Sequence, residues 1–331
     1  MDLPLDDRLH LGVQTIHRRT EPGVGPWQPE IDELCRLVGL IDRCGYDSLW
    51  VGDHVSFALP ILDPFLQLAQ AAVVSRRLML GTAVYLLPLR HPTPVAKQVS
   101  TLDHLTEGRF VFGVGVGGEF PKEYEACGVP LAERGARLSE SLAVLRKLWS
   151  GQPASHAGRF FDFADITMQP PPRQAGGPPI WAGGRSDAAL ERVARMTDGW
   201  MSYVVTPDMF RQGLTKIAAA AAAHGRVFER GFASAHLLFT RVDRSYEAAL
   251  EAATATLSTR YAMDFRRAAQ RYCALGRPTE VVETIRRFHA AGARHVILDF
   301  VGPYEERFAE IERFAAEAMP LLADLRPAGR P

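Results

Sequence analysis

The sequence predicts an α/β fold: a (β/α)8 TIM barrel in one domain over residues 1–331, with insertion segments at about 152–177 and 245–277. Three observations carry that expectation. Short β-branched or apolar runs alternate with longer segments of helical spacing along the whole chain, the pattern of parallel βα units. About eight such units can be counted, the number a closed barrel needs. The chain has 331 residues, 47% of them hydrophobic, which is ample for one large core. An open doubly wound sheet is the structural competitor.

The units follow in order. "RLHLGVQTI" (8–16) is a strand, and "EIDELCRLVGLIDRCG" (30–45) is a helix with apolar spacing at Ile31, Leu34, Leu37, Val38 and Ile41, closed by Gly45. "DSLWVG" (47–52) precedes a helix around 64–76. "RLMLGTAVYLL" (77–87) precedes a helix at 93–108 that stops at Gly108. "RFVFGVGVG" (109–117) is the fourth strand, and the next good helix is the amphipathic 131–151, about a dozen residues later. After the Pro/Gly-rich excursion at 152–177, strands at 177–184, 199–204, 232–242 and 294–302 alternate with helices at 186–199, after Pro207, within 245–272 and 278–291, and at 304–325.

Composition excludes several classes. The 38 basic side chains balance 38 acidic ones with no basic stripe, so nucleic acid is not an expected partner. The opening "MDLPLDDRLH" has no apolar core and does not read as a secretory signal. Apolar runs break well short of a membrane span. Cys35, Cys44, Cys127 and Cys273 form no C-x-x-C pair. A soluble, cytoplasmic protein acting on a small molecule is expected, away from membranes.

"FVFGVGVGGEF" (110–120) places glycines at 113, 115 and 118 as G-x-G-x-x-G. A dinucleotide fingerprint should follow the first strand, open a helix directly and meet an acid at the end of the next strand. Here the strand is the fourth, Glu119, Phe120 and Pro121 follow it, and the acid at the right distance, Glu133, opens a helix instead. The Rossmann reading fails, leaving a glycine-lined loop (Gly115, Val116, Gly117, Gly118, Glu119) at a strand's C-terminal end, the active face of a barrel. Glycines there admit close backbone approach to a ligand, or equally suit tight strand packing.

At "IWAGGRSDAAL", Ala182, Gly183, Gly184, Arg185 and Ser186 lie between a strand and a helix. Backbone N–H groups, a hydroxyl and a guanidinium make a ready phosphate site, against the plainer reading of a helix capped by Ser186 or Asp187. Asp53 and His54 end the second strand, where a histidine can move a proton near neutral pH or simply pack at the mouth. No H-x-H, H-E-x-x-H or Cys/His cluster accompanies His54, so no metal is expected.

Together "SLWVGDH", "LGTAVYLLPLRHPTPVAKQVSTLDHLTEGRFVFGVGVGG", "VPLAERGARLSESLAVLRKLW" and "PPIWAGGRSDAALERVARMTDGW" resemble the luciferase-like oxidoreductases, in order from about residue 9 to 302. Within that superfamily the chain is most similar to members that depend on coenzyme F420, a deazaflavin; the FMN-dependent branch shares the framework. The resemblance implies a bacterial-luciferase-like barrel with the cofactor at its C-terminal mouth. It implies that His54, with Asp53, lies beside the reactive ring as proton donor or acceptor. Ala83 and Val84 match a strand-three bulge that carries a non-proline cis peptide in many members. Val116 to Glu119 match a loop on the cofactor's side chain, with Gly117–Gly118 leaving the register of Glu119 open by one residue. Ala182 to Ser186 match the loop near its phosphate. Val55 follows His54 where many members carry an aromatic, and Phe57 is the nearest stand-in.

Loops 17–29, 54–62, 117–131 and 256–277 are expected to frame the substrate, offering Trp27, Phe57, Phe120, Tyr124 and Tyr261. Gln14, Tyr85 and Phe300 at strand ends complete a largely apolar pocket. The expected activity is hydride transfer between F420 and a small apolar organic substrate. The alternatives are an FMN-dependent monooxygenase and a non-catalytic flavin or deazaflavin carrier. Relatives are commonly dimers, and helices 93–107 and 131–149 could form a homodimer interface.

Overall fold

The structure is a computed structural model describing residues 3–15, 30–57 and 60–326. Eleven strands and eleven α-helices follow one another among these residues: β1 (His10–Thr15), α1 (Ile31–Arg43), β2 (Ser48–Val51), α2 (Pro64–Val74), β3 (Met79–Thr82), α3 (Pro92–Leu105), β4 (Phe110–Val114), α4 (Pro121–Ala126) and α5 (Arg134–Leu148) come first. They continue with β5 (Ala154–Ala157), β6 (Asp162–Ile166), β7 (Ile180–Gly183), α6 (Asp187–Met196), β8 (Gly199–Tyr203), α7 (Pro207–Ala223) and β9 (Ala233–Val242). The last are α8 (Tyr246–Tyr261), α9 (Arg266–Tyr272), β10 (Ala274–Gly276), α10 (Pro278–Ala290), β11 (His295–Phe300) and α11 (Arg307–Arg313).

Eight parallel strands close in the order β1-β2-β3-β4-β7-β8-β9-β11, and β11 returns to β1 with His295 opposite His10. The expected barrel is therefore formed, and the doubly wound alternative is excluded by closure. Four helices start where a side-chain oxygen accepts orphan N–H groups. Asp63 caps α2, Ser186 caps α6, Thr206 caps α7 and Ser245 caps α8. Proline at the first position of α2 and α7 has no N–H to leave unpaired.

Alternation along the strands sorts side chains into two layers. Trp50, Val111, Trp181, Met201, Ala235 and Ile297 fill the barrel interior. The Trp50 and Trp181 rings lie 5.0 Å apart. Glycine makes room for them: a Cβ on Gly81 would sit 2.3 Å from Trp50. Trp50 Nε1 donates to Ser48 Oγ, which pairs with His295 Nε2 at 2.8 Å. The outward layer, including Leu11, Val13, Leu49, Val51, Leu80 and Phe112, is buried under the helices.

Three stretches differ from the sequence expectation. The third strand is regular only over Met79–Thr82, because residues 83–86 bulge away from the ladder. The stretch after Phe120, expected to lack a helix, forms α4, six residues opened by Pro121 and too short to show periodicity. Between α5 and β7 the chain makes an antiparallel hairpin, β5–β6. The second insertion contributes α8, α9 and β10; β10 pairs with the last residues of β9, past the end of its β8 pairing.

Candidate active site

The C-terminal mouth is shaped by the bulge after β3. The Ala83–Val84 peptide is cis. Tyr85 N donates to the Gly113 carbonyl and Gly115 N to the Tyr85 carbonyl, so the bulge is stitched to the end of β4. That contact explains the glycines there. A Cβ on Gly113 would lie 1.8 Å from the Thr82 carbonyl oxygen, and one on Gly115 would lie 2.3 Å from Val84 Cγ2. Gly117 and Gly118 have φ of 58° and 112°, which glycine adopts without strain. The G-x-G-x-x-G pattern is thus the imprint of a bulge pressed onto β4. Glu119 stands exposed beyond it.

Asp53 is buried and turned to the bulge. Its Oδ2 accepts from Leu86 N at 2.8 Å and from Arg90, whose Nη2 also reaches Oδ1 at 2.9 Å. Arg90 in turn lies 4.4 Å above the Tyr85 ring. The adjacent His54 has a different partner. Its Nδ1 lies 3.1 and 3.2 Å from the two oxygens of Glu123, which also accepts from Val55 N. Glu123 is fully buried on α4, whereas the His54 side chain is 19% exposed. Phe57 stacks on the imidazole at 4.1 Å and Phe120 meets Phe57 edge-on at 5.7 Å. Asp53 and His54, paired in the sequence reading, serve separate networks. Glu123 is the candidate site residue that reading missed: the only local signal was Pro121 opening a short "PKEYEA" helix.

At the β7–α6 turn, Gly184 has φ of 125° and its Cβ would meet Ala189 at 2.6 Å. Ser186 Oγ accepts from Ala189 N, so the hydroxyl is the helix cap and keeps its own proton to donate. Arg185 is exposed, and its Nη1 donates to the Val204 carbonyl. Ala182 is buried in β7, with Gly183 at its end.

Helix α8 covers the opposite side of the mouth. Arg260 pairs with Asp299 of β11 at 2.7 Å, both side chains 5% exposed. Tyr261 and Tyr203 share a hydroxyl–hydroxyl hydrogen bond, and Phe265 stacks on Tyr261. Gln14 points into the barrel, donating from Nε2 to the Ala83 carbonyl at 3.3 Å. A cavity of about 60 Å³ opens beside Gln14, Arg260, Asp299 and Phe300.

Two expected pocket residues lie elsewhere. Tyr85 stacks on Phe65 of α2 at 4.5 Å, in the layer under the helices. Burial there pushes its hydroxyl pKa up, opposed by Arg90. Tyr124 is buried against Leu86 and Leu89 and donates to the Val116 carbonyl. Both were misplaced because a bulge and an unexpected helix changed which way they face. Trp27 and the whole of the 17–29 loop fall outside the described residues.

A flat ring carrying a phosphate-bearing chain fits this arrangement. The Gly117–Gly118 step carries no side chains, the bulge offers backbone, and the start of α6 offers N–H groups.

Comparison with known proteins places the arrangement in a family. Residues 10–295 match the luciferase-like monooxygenase family model. A 4-hydroxyprotoasukamycin monooxygenase from Streptomyces nodosus subsp. asukaensis is 34% identical over 220 residues, 63% of this chain and 57% of the relative. The match thus spans less than two thirds of that relative's length. Two solved structures share the fold. The coenzyme F420-dependent tetrahydromethanopterin reductase of Methanopyrus kandleri superposes with a TM-score of 0.76 at 19% identity, covering 95% of this chain and 99% of that one. The oxygenating constituent of 3,6-diketocamphane monooxygenase of Pseudomonas putida, solved with FMN, gives 0.76 at 20% identity, covering 94% and 98%. The chain belongs to the luciferase-like monooxygenase family.

Proposed function

We propose that this protein is an oxidoreductase transferring hydride between coenzyme F420 and a small, largely apolar organic substrate, with His54 handling the accompanying proton. The observation that carries the reading is the His54–Glu123 pair. A buried carboxylate on Nδ1 fixes the ring's orientation and tautomer, so proton exchange runs through Nε2. Phe57 and Phe120 shield that ring from water on one side. When bound, the deazaflavin supplies a two-electron hydride donor or acceptor at one ring carbon.

The chain's own residues hold it. The Ala83–Val84 bulge backs the ring, and Asp53 is a positioning residue that clamps the bulge through Leu86 N and Arg90. Val116–Glu119 would border the side chain, and Gly183–Ser186 would meet the phosphate with backbone N–H groups, the Ser186 hydroxyl and Arg185. A second reading, an FMN-dependent monooxygenase, is favoured in its oxygen chemistry by the similarity to the Streptomyces monooxygenase and in its cofactor by the likeness to the Pseudomonas structure solved with FMN.

The test is a titration of purified apo-protein with F420 and with FMN, following cofactor fluorescence. Tight binding of F420 alone supports hydride transfer; tight binding of FMN alone moves the assignment to oxygen chemistry. Binding of neither overturns the cofactor site. With the preferred cofactor bound, His54→Ala should leave affinity nearly intact and lower turnover by about 10²–10⁴-fold. Binding without turnover in the wild type would leave a carrier. A homodimer belongs to the same reading, and light scattering in solution tests it.

A further inference from the structure

Ten buried side-chain nitrogen or oxygen atoms lack a hydrogen-bond partner among the described residues, and four of them belong to side chains that line one cavity. They are Gln14 Oε1, Arg260 Nε, Arg307 Nε and Glu310 Oε2. Gln14, Arg260 and Glu310 are 8%, 7% and 2% exposed. Unpaired buried polar atoms are costly, so such a concentration marks a place that expects a polar guest. The cavity, about 60 Å³, has room for a few heavy atoms.

The charges of its wall are already matched. Arg260 is paired with Asp299, Arg307 with Glu33, and Glu310 with Arg313. What remains unspent is hydrogen bonding, two donors and two acceptors. Among the described residues, an anion entering here would meet no unpaired positive charge to compensate its desolvation. The cavity lies at the ends of β1 and β11 under α8, across the mouth from the Val116–Glu119 and Gly183–Ser186 loops. It is one side chain from the bulge, because Gln14, which lines the cavity, donates through Nε2 to the Ala83 carbonyl.

We propose that this cavity is the polar end of the substrate site, taking a neutral group that accepts from Arg260 Nε and donates to Gln14 Oε1, such as a carboxamide or hydroxyl, in preference to a carboxylate or phosphate. Calling the occupant a substrate rests on the oxidoreductase reading; the preference for a neutral donor–acceptor group does not.

The experiment uses benzamide and benzoate, of like shape and different charge, in calorimetric titrations of the full chain with and without cofactor. Benzamide should bind at least about tenfold tighter than benzoate. Gln14→Leu and Arg260→Lys, the latter keeping a cation beside Asp299, should each weaken benzamide about tenfold. Benzoate binding as well as benzamide, no binding of either to the wild type (a cavity for solvent only), or benzamide affinity unchanged in both folded variants overturns the proposal. The wild-type comparison stands even where a variant fails to fold. If neither F420 nor FMN binds while benzamide still does, the cofactor reading has failed and the cavity's preference has not.

Discussion

Replacing Arg90 by methionine tests whether the bulge is held by a buried ion pair. The Asp53 side chain is fully buried, and Arg90 is 22% exposed. Methionine keeps apolar contact with the Tyr85 ring but leaves Asp53 with Leu86 N as its remaining partner. Removing one member of a buried pair costs about 3–5 kcal/mol, because the other charge stays desolvated. Partial exposure of Arg90 lets water reach the vacated space, which favours the lower end. Unfolding entropy of about 2.1 cal/mol/K per residue amounts to about 0.7 kcal/mol/K for this chain, so the melting temperature should drop by about 4–7 °C. Scanning calorimetry of R90M, D53N and the double variant measures it. The double variant should recover at least about 1.5 kcal/mol over the sum of the singles, because no buried charge remains unpaired. A melting temperature of R90M within about 1 °C of wild type, or strict additivity, would refute the clamp.

Other sites give sharp expectations. Gly113→Ala drives a Cβ to 1.8 Å from a backbone oxygen and should yield no folded soluble protein; wild-type melting would contradict the stitched bulge. Gly115→Ala meets only the Val84 side chain, so it should cost about 1–3 kcal/mol and weaken cofactor in the fluorescence titration. Glu123→Ala strips the acceptor from His54 Nδ1 and Val55 N and should cost about 1–3 kcal/mol in urea unfolding. Glu123→Gln, which restores one acceptor oxygen, should recover about half; equal losses would argue against hydrogen bonding as the cause. Burial pushes His236 down to about 3, and burial with nearby His10 pushes His295 down to about 3. In the unfolded chain these imidazoles titrate near about 6.5. Between those values the unfolded state binds protons that the folded state does not, so stability falls as pH drops from about 6.5 towards 3. The urea midpoint measured against pH should fall less steeply in H236Q and H295Q; an unchanged slope would show that other groups carry the acid sensitivity.

The alternation of apolar runs with helical spacing by itself determined the barrel, because each βα unit announces its own period locally and several announce their caps. Asp63, Ser186, Thr206 and Ser245 sit next to the backbone they cap, so the sequence already holds both partners. The same locality made the glycines of 113–118 legible as a strand-end loop and set His54 at the mouth. The partners of these residues were not legible. Glu123 reaches His54 across 69 positions, and Arg90 reaches Asp53 across 37. Neither spacing has a period, and Glu123 rides a six-residue helix too short to show one. Tyr85 and Tyr124 were placed at the pocket because parity along a strand or loop is lost at a bulge, where one displaced residue reverses every facing direction after it. Asp53 and His54 adjoin in the chain, yet closure of the barrel sends one carboxylate to the bulge and brings another to the imidazole. The cavity at Gln14, Arg260 and Glu310 draws on β1, α8 and α11, whose meeting is a product of closure alone. The chain's local chemistry set the elements and their ends; which polar groups face each other across the mouth was decided by the tertiary structure, because that pairing depends on through-space contacts that no local pattern records.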